Sequence, residues 1–231
     1  MYFPFFYDPT FILIIPAFIL AIYAQYKVKS TYGKYSNKYS NQGLTGADVA
    51  RKILSDKGIN DVSVQQIQGH LSDHYDPSKK VLNLSNDVYG SSSLAAIGVA
   101  AHEAGHAIQD ASGYKPMNVR ASLVPAANIG SRWGLPLAIF GFFLQSDFMM
   151  GAGLVLFVGA FLFHLITLPV EFNASNRAIS ILDKRGYLSN QELQGAKKVL
   201  QAAAFTYVAA TLVALANLLR IVMLMGLGRD D

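Results

Sequence analysis

The sequence contains no cysteine. That excludes a disulfide framework and a thiolate zinc site, so any metal must be held by His, Asp or Glu. Charge is scarce as well. Asp, Glu, Lys and Arg make up 15% of the 231 residues, against about 25% in a soluble globular domain. Glu occurs only three times, at positions 103, 171 and 192. There is no internal repeat and no low-complexity tract. What fills the chain instead is hydrophobic, 52% of all residues. This balance excludes a disordered or collagen-like chain and an ordinary cytosolic enzyme. The length fits one compact domain or one membrane bundle.

The apolar residues are grouped. Residues 9–26, 148–170 and 199–219 carry no Asp, Glu, Lys or Arg, and residues 121–146 carry only Arg132. A spanning helix needs about 20 apolar residues, so four spans are predicted, the second interrupted by Arg132. Buried core helices are the bland alternative, which uncharged runs of 21 and 23 residues disfavour. Of 19 Lys and Arg, 12 lie in residues 27–132 and 5 in residues 177–198. The stretches that alternate with them carry Asp8, Asp147, Asp230 and Asp231. The positive-inside rule therefore puts both basic segments in the cytoplasm and both termini outside. Topology accounts for the pI near 9.2, and no nucleic-acid partner is needed. No basic stretch precedes the first apolar run and lysines follow it, so it reads as an uncleaved anchor.

The predicted organisation follows. An anchor covers residues 1–26, and a cytosolic α+β portion covers 27–118. A transmembrane hairpin covers 119–170, a cytosolic helical segment 171–198, and a last span 199–231. Within the soluble portion, residues 27–41 look like a juxtamembrane connector at the lipid headgroups. Thr45 caps a helix over 46–57 that Gly58 closes. Residues 61–68 and 79–85 alternate like strands, with a turn-rich loop over 69–78 between them. Residues 91–93 cap an Ala-rich helix over 94–110. A further helix is expected from 171 to 182, with Gly186 as C-cap. Ser189 and Glu192 have capping-box spacing, and the helix they start should run unbroken into the last span.

The chemistry sits on the Ala-rich helix, which reads His102-Glu103-Ala104-Gly105-His106. Histidines at i and i+4 share a helix face and can hold one zinc ion. Glu103, beside the first of them, can take a proton from the attacking water and pass it to the leaving amine. With so few His and Glu, roughly 0.001 chance matches to this pattern are expected in the chain. The bland reading is a polar helix face with incidental histidines. A hydrolytic zinc needs a third protein ligand and one open position. His70, His74, His164, Glu171, Glu192 and the aspartates are candidates. Glu171 is favoured, because it is the first charged residue after 23 uncharged ones. The short hairpin ending there returns the chain to the edge from which the His-bearing helix left. Ala174 and Ser175 leave room for a facing helix.

His74-Tyr75-Asp76, before the second strand, is a secondary candidate for lining the cleft or steadying an oxyanion. A plain Asp76-Pro77 turn explains its surroundings equally well. Arg177 could polarise a carbonyl or contact a headgroup. His70 reads as a surface residue and His164 as a neutral histidine bonded within the bundle.

The stretches LSDHYDPSKKVLNLS, AAIGVAAHEAGHAIQ and LPVEFNASNRA resemble the YugP family of membrane zinc metallopeptidases. More distantly, four spans and HExxH with a distal Glu resemble the HtpX and CAAX-protease group. That group's ExxAD pattern reads Glu171-Phe172-Asn173-Ala174-Ser175 here, so serine stands in place of the aspartate and no orienting role carries over from it. The resemblances imply a zinc endopeptidase with one Zn2+ per chain. They imply His102, His106 and Glu171 as ligands and Glu103 as base.

The expected fold is thus a mainly α membrane protein with about four transmembrane helices and a small cytosolic α+β zincin-like portion. The expected partners are protein or peptide substrates, membrane proteins among them, and the lipid bilayer. An oligomer is compatible with the sequence. The expected location is the cytoplasmic membrane, multi-pass, with the active site facing the cytoplasm. The 79–85 strand is the candidate edge on which a substrate strand would lie. Two alternatives remain. One is a site-2-type intramembrane protease, with its motif inside a span. The other is a metal-binding scaffold without catalysis.

Overall fold

Most of the chain is helical, and its soluble helices start where the sequence offers a cap. The computed structural model describes residues 9–227. The aspartates and Arg229 at the two ends, on which part of the expected topology rests, lie outside the described residues. Internal contacts divide the chain into two units. An apolar unit comprises Met1–Gln25, Val119–Leu168 and Thr206–Asp231, and a mixed unit comprises Tyr26–Asn118 and Pro169–Phe205.

In the mixed unit, helix α1 (Ile14–Ser36) enters from the apolar unit and continues through most of the expected connector. Tyr32 and Tyr35 account for this, because both are buried against the core. Helix α2 (Gly46–Asp56) starts with a capping box. The Thr45 hydroxyl accepts from the Asp48 amide at 3.2 Å, and Asp48 returns a bond to the Thr45 amide at 3.1 Å. Gly58 follows at φ +68°, the left-handed conformation that ends the helix.

Three strands follow: β1 (Ser63–Ile67), β2 (His74–Asp76) and β3 (Val81–Ser85). β2 lies inside the expected 69–78 loop. It is only three residues long, too short for an alternating pattern to announce it. The sheet order is β1-β3-β2, with β1 parallel and β2 antiparallel to β3. β3 is therefore the central strand, paired on both sides. The expectation that it offers a free edge is corrected, since the short β2 takes that place.

Short α3 (Asn86–Tyr89) leads to α4 (Leu94–Ala111), capped by the Ser93 hydroxyl on the Ala96 amide at 3.2 Å. The core gathers Ile53 of α2, Leu82 and Leu84 of β3, Ile97 of α4 and, further along the chain, Leu182 and Val199.

In the apolar unit, α5 (Lys115–Ile129), a π-helical turn (Gly130–Gly134) and α6 (Leu135–Phe143) form one helical path whose hydrogen-bond register shifts midway. It turns back at Leu144–Ser146 into α7 (Asp147–Lys184). The two arms approach closely. A Cβ on Gly130 would lie 2.1 Å from the Leu156 carbonyl oxygen, and one on Gly153 would lie 2.5 Å from the Ala138 nitrogen. α7 runs straight through the point where a separate helix was expected to start, despite Pro169. α8 (Asn190–Leu227) is unbroken, as expected. Ser189 and Glu192 form its capping box, the Ser189 amide donating to Glu192 at 2.7 Å and the Glu192 amide to Ser189 at 3.5 Å.

Among the described residues, three helices are long and apolar enough to cross a membrane: Thr10–Ser36, Asp147–Lys184 and Asn190–Gly226. The expected count was four. The second predicted span falls short as a single helix because the π turn divides it into pieces of 15, 5 and 9 residues.

Candidate metal centre

The site is built where α4 and α7 cross within the mixed unit. The crossing is close because Gly105 faces Ala174. A Cβ on Gly105 would sit 2.6 Å from the Ala174 carbonyl oxygen, so a larger residue would push the helices apart. His102 and His106 flank Gly105 on α4, and Glu171 lies one turn before Ala174 on α7. The crossing thus delivers two imidazoles and one carboxylate to one place.

One ligand atom from each of His102, His106 and Glu171 lies within 4.8 Å of the other two. The Glu171 Oε2 is 3.2 Å from His102 Nε2 and 3.6 Å from His106 Nε2. Ligands about 2.0–2.1 Å from a tetrahedral zinc stand roughly 3.3 Å apart. The separations of the carboxylate from the two imidazoles match that spacing. Both histidines also present the correct nitrogen, since their Nδ1 atoms are already engaged. His102 Nδ1 meets the Ser175 hydroxyl at 3.1 Å, and His106 Nδ1 meets Gln109 Oε1 at 2.9 Å. These partners leave each Nε2 toward Glu171, the arrangement seen around metal-bound histidines. The donor set fits zinc.

Glu103 is buried, and its Oε2 accepts the backbone N–H of Tyr75 in β2 at 3.0 Å. Burial opposes protonation of His106. The hydrogen bond that His106 donates to Glu171 and the charge of Glu103 outweigh it and hold the imidazole above its ordinary pKa. The Tyr75 hydroxyl donates to Asp110 at 2.7 Å, and Lys80 Nζ reaches the same oxygen at 2.6 Å. The edge strand is therefore fastened to α4 at two points, Glu103 and Asp110. Burial, with Asp110 behind it, pushes the Tyr75 phenol upward. No buried side-chain N or O among the described residues lacks a partner.

The remaining candidates lie elsewhere. His74 is exposed on β2, donating from Nδ1 to the Ser72 carbonyl at 2.8 Å and accepting from Asn83 at 3.1 Å. His70 pairs with Asp87 at the surface. Glu192 is used by its cap and by the Asn41 amide at 2.7 Å. His164 belongs to the apolar unit and is not in the cluster. Arg177 donates from Nε to Asn173 Oδ1 at 2.7 Å and lies over the Tyr114 ring. It follows Glu171 by six residues, about 240° around a helix of 3.6 residues per turn, so it points away from the carboxylate. The same arithmetic was open to the sequence reading.

Two residues of the site escaped that reading. Gln109 stands three residues after His106, a polar side chain at helical contact spacing in an otherwise small and apolar helix. Ser175, set aside because it replaces an aspartate, touches His102. Tyr75 was read with His74 and Asp76 as lining the cleft, but the bond of its amide to Glu103 had no sequence signal, because the short strand carrying it had none.

Comparison with known proteins identifies a family. Residues 10–226 match the family described as "Putative neutral zinc metallopeptidase". The chain is 47% identical over 219 residues to a Bacillus subtilis (strain 168) protein named "Putative membrane protease YugP", covering 95% of this chain and 97% of that one. No solved structure matches the chain.

Proposed function

Because the chain belongs to this neutral zinc metallopeptidase family, we propose that it is a membrane-embedded endopeptidase holding one Zn2+ through His102, His106 and Glu171. The observation that carries the reading is the meeting of one ligand atom from each of His102, His106 and Glu171 within 4.8 Å, beside the buried Glu103 of the histidines' own helix. When bound, zinc supplies Lewis acidity that makes water nucleophilic at neutral pH. The rest falls to the protein. Glu103, oriented by the Tyr75 amide, takes the proton from the attacking water and returns it to the departing amine. Ser175 and Gln109 keep the two imidazoles aimed. The outer edge of β2, with its Tyr75 backbone directed at Glu103, is the surface along which an extended peptide can align.

The site is assigned to the cytoplasmic side of the cytoplasmic membrane. Both basic segments can share that side only if the chain crosses twice between them. The glycine-packed hairpin of α5–α6 and α7 supports this, with the broken helix supplying one of four crossings. A register shift inside a spanning helix is tolerated where a neighbouring helix covers it. Substrates on this reading are proteins or peptides, membrane proteins among them.

Metal analysis of the purified protein should find about one zinc per chain. A chelator should remove it and stop cleavage of an unfolded protein substrate. Glu103→Gln should retain zinc and lose cleavage. A Glu103→Gln protein that cleaves normally refutes the assignment of the base. Wild-type protein that holds zinc and cleaves no substrate leaves the scaffold reading standing. A His74→Ala protein that loses zinc while Glu171→Ala keeps it moves the third ligand to β2.

A further inference from the structure

Gln109 is a polar side chain with no exposure to solvent, and each of its contacts has a direction. Its amide nitrogen donates to the Val170 carbonyl at 2.8 Å and to Asn173 Oδ1 at 3.1 Å. Its oxygen faces His106 Nδ1 at 2.9 Å. The side chain therefore joins a ligand on α4 to the backbone of α7 next to another ligand, Glu171.

The orientation of this amide follows from chemistry. The Nε–H of Arg177 can only donate, so the Asn173 atom 2.7 Å away must be its oxygen. That same oxygen faces Gln109, so Gln109 must turn its NH2 toward it. The Val170 carbonyl, an acceptor by nature, requires the same choice. With the NH2 committed, only the Gln109 oxygen is left for His106. An acceptor there requires a proton on Nδ1 and leaves the Nε2 lone pair for a metal. A neutral histidine in water is free to carry its proton on either nitrogen, so this selection is something the surroundings must supply.

We infer that Arg177, Asn173 and Gln109 form a relay that fixes the tautomer and aim of His106, with Gln109 as the positioning residue in direct contact. The inference rests on the metal-site reading above. It gives Arg177 a task without placing it at the reacting atoms. It also explains a buried glutamine in an Ala-rich helix. Leucine would fill the same space, but it could neither select the proton position nor bind two acceptors on α7.

The test compares zinc affinity, by chelator competition on the full-length protein in detergent, with the His106 Nδ1–H signal in nitrogen-15 NMR of the zinc-loaded protein. Wild type should show a slowly exchanging His106 Nδ1–H. Gln109→Leu should lose zinc affinity about 10–100-fold, the usual effect of removing a partner behind a ligand. Its Nδ1–H should exchange rapidly. Asn173→Leu should do the same to a smaller extent. Asn173→Asp should behave as wild type, because a carboxylate still accepts from both Arg177 and Gln109. This last variant separates the relay from mere packing, since Asp and Leu both replace the asparagine and only one keeps the acceptor.

If Gln109→Leu binds zinc as tightly as wild type and keeps a protected Nδ1–H, the relay is refuted and the metal site stands. If Asn173→Asp falls with Asn173→Leu, the acceptor argument is refuted. Wild-type protein that binds no zinc refutes the metal-site reading, and the relay with it.

Discussion

In the mixed unit Ile53, Leu82, Leu84, Ile97 and Leu182 have no exposed surface, whereas in the apolar unit Phe18, Ile19, Phe140 and Val155 are each more than half exposed. The polar side chains differ in parallel. In the mixed unit they join separate elements, as Asp110, Glu103 and Gln109 do. In the apolar unit Thr167 and Asn217 turn back onto carbonyls four residues earlier in their own helices, and Thr211 does so while also reaching the His164 carbonyl of α7 at 3.3 Å. On the membrane reading proposed above, one chain thus follows two sets of rules. In water, association is driven by removing apolar surface. In lipid that drive is absent between helices, so small residues and close backbones replace large buried ones. The approaches at Gly130 and Gly153 are of the second kind, and the Ile53–Leu82 core is of the first.

The sharpest way to separate the units is to remove chemistry without touching either fold. Glu103→Gln should lower the cleavage rate by about 10²–10⁴-fold, the range for losing a general base. Zinc content and the unfolding midpoint should stay unchanged. A large fall in the midpoint would mean that the Glu103–Tyr75 bond holds the unit together rather than orienting the base.

A second comparison uses similar truncations in the two solvents. Leu82→Ala should cost about 2–5 kcal/mol in a denaturant titration, because it empties a sealed position. Ile19→Ala in detergent should stay within about 0.5 kcal/mol, because its side chain already faces outward. Equal costs would show that the outer face of α1 is packed against protein, contrary to the lipid reading.

Glycines test the close approaches in the apolar unit. Gly153→Val forces a side chain against Ala138 and should destabilise the hairpin by about 1–3 kcal/mol. Zinc affinity of the folded fraction should not change, since His102, His106 and Glu171 all belong to the mixed unit. A fall in affinity equal to that of Gln109→Leu would show that the hairpin sets the geometry of the metal site.

The sequence made the long-period features visible: apolar runs, caps at Thr45 and Ser93, the left-handed turns at Gly58 and Gly186, and paired histidines at i and i+4. These are local, and neighbouring residues encode them. What stayed hidden depends on pairing across the fold. β2 has three residues and no periodicity of its own, so β3 was read as an edge. The second span was read from composition, which does not register a π turn. Ser175 and Gln109 act through atoms 73 and 61 positions away in sequence, and only the crossing at Gly105 and Ala174 brings them into contact. Glu171 was legible because a lone carboxylate after a long uncharged run is itself a sequence signal.

The smallest expected effect concerns the tie that fastens the edge strand to α4. Asp110 accepts from Tyr75 and Lys80. Burial works against its ionised form, but those hydrogen bonds, with the charge of Lys80, hold its carboxyl below the usual range. A depressed carboxylate contributes stability that is complete above its unfolded pKa, about 3.9, and is lost as pH falls through the folded value. Asp110→Asn should therefore lower neutral-pH stability by on the order of 1 kcal/mol, modest because Lys80 is well hydrated. The gap between wild type and variant should stay constant from pH 7 to about 5 and close as the pH drops below about 4. Other carboxylates titrate equally in both proteins, so the difference isolates this one. Cleavage should fall less than for Glu103→Gln, since the Tyr75 amide still reaches Glu103 when the strand is fastened at one point instead of two. A gap that persists unchanged to pH 3 would show that the Asp110 charge does not hold the strand.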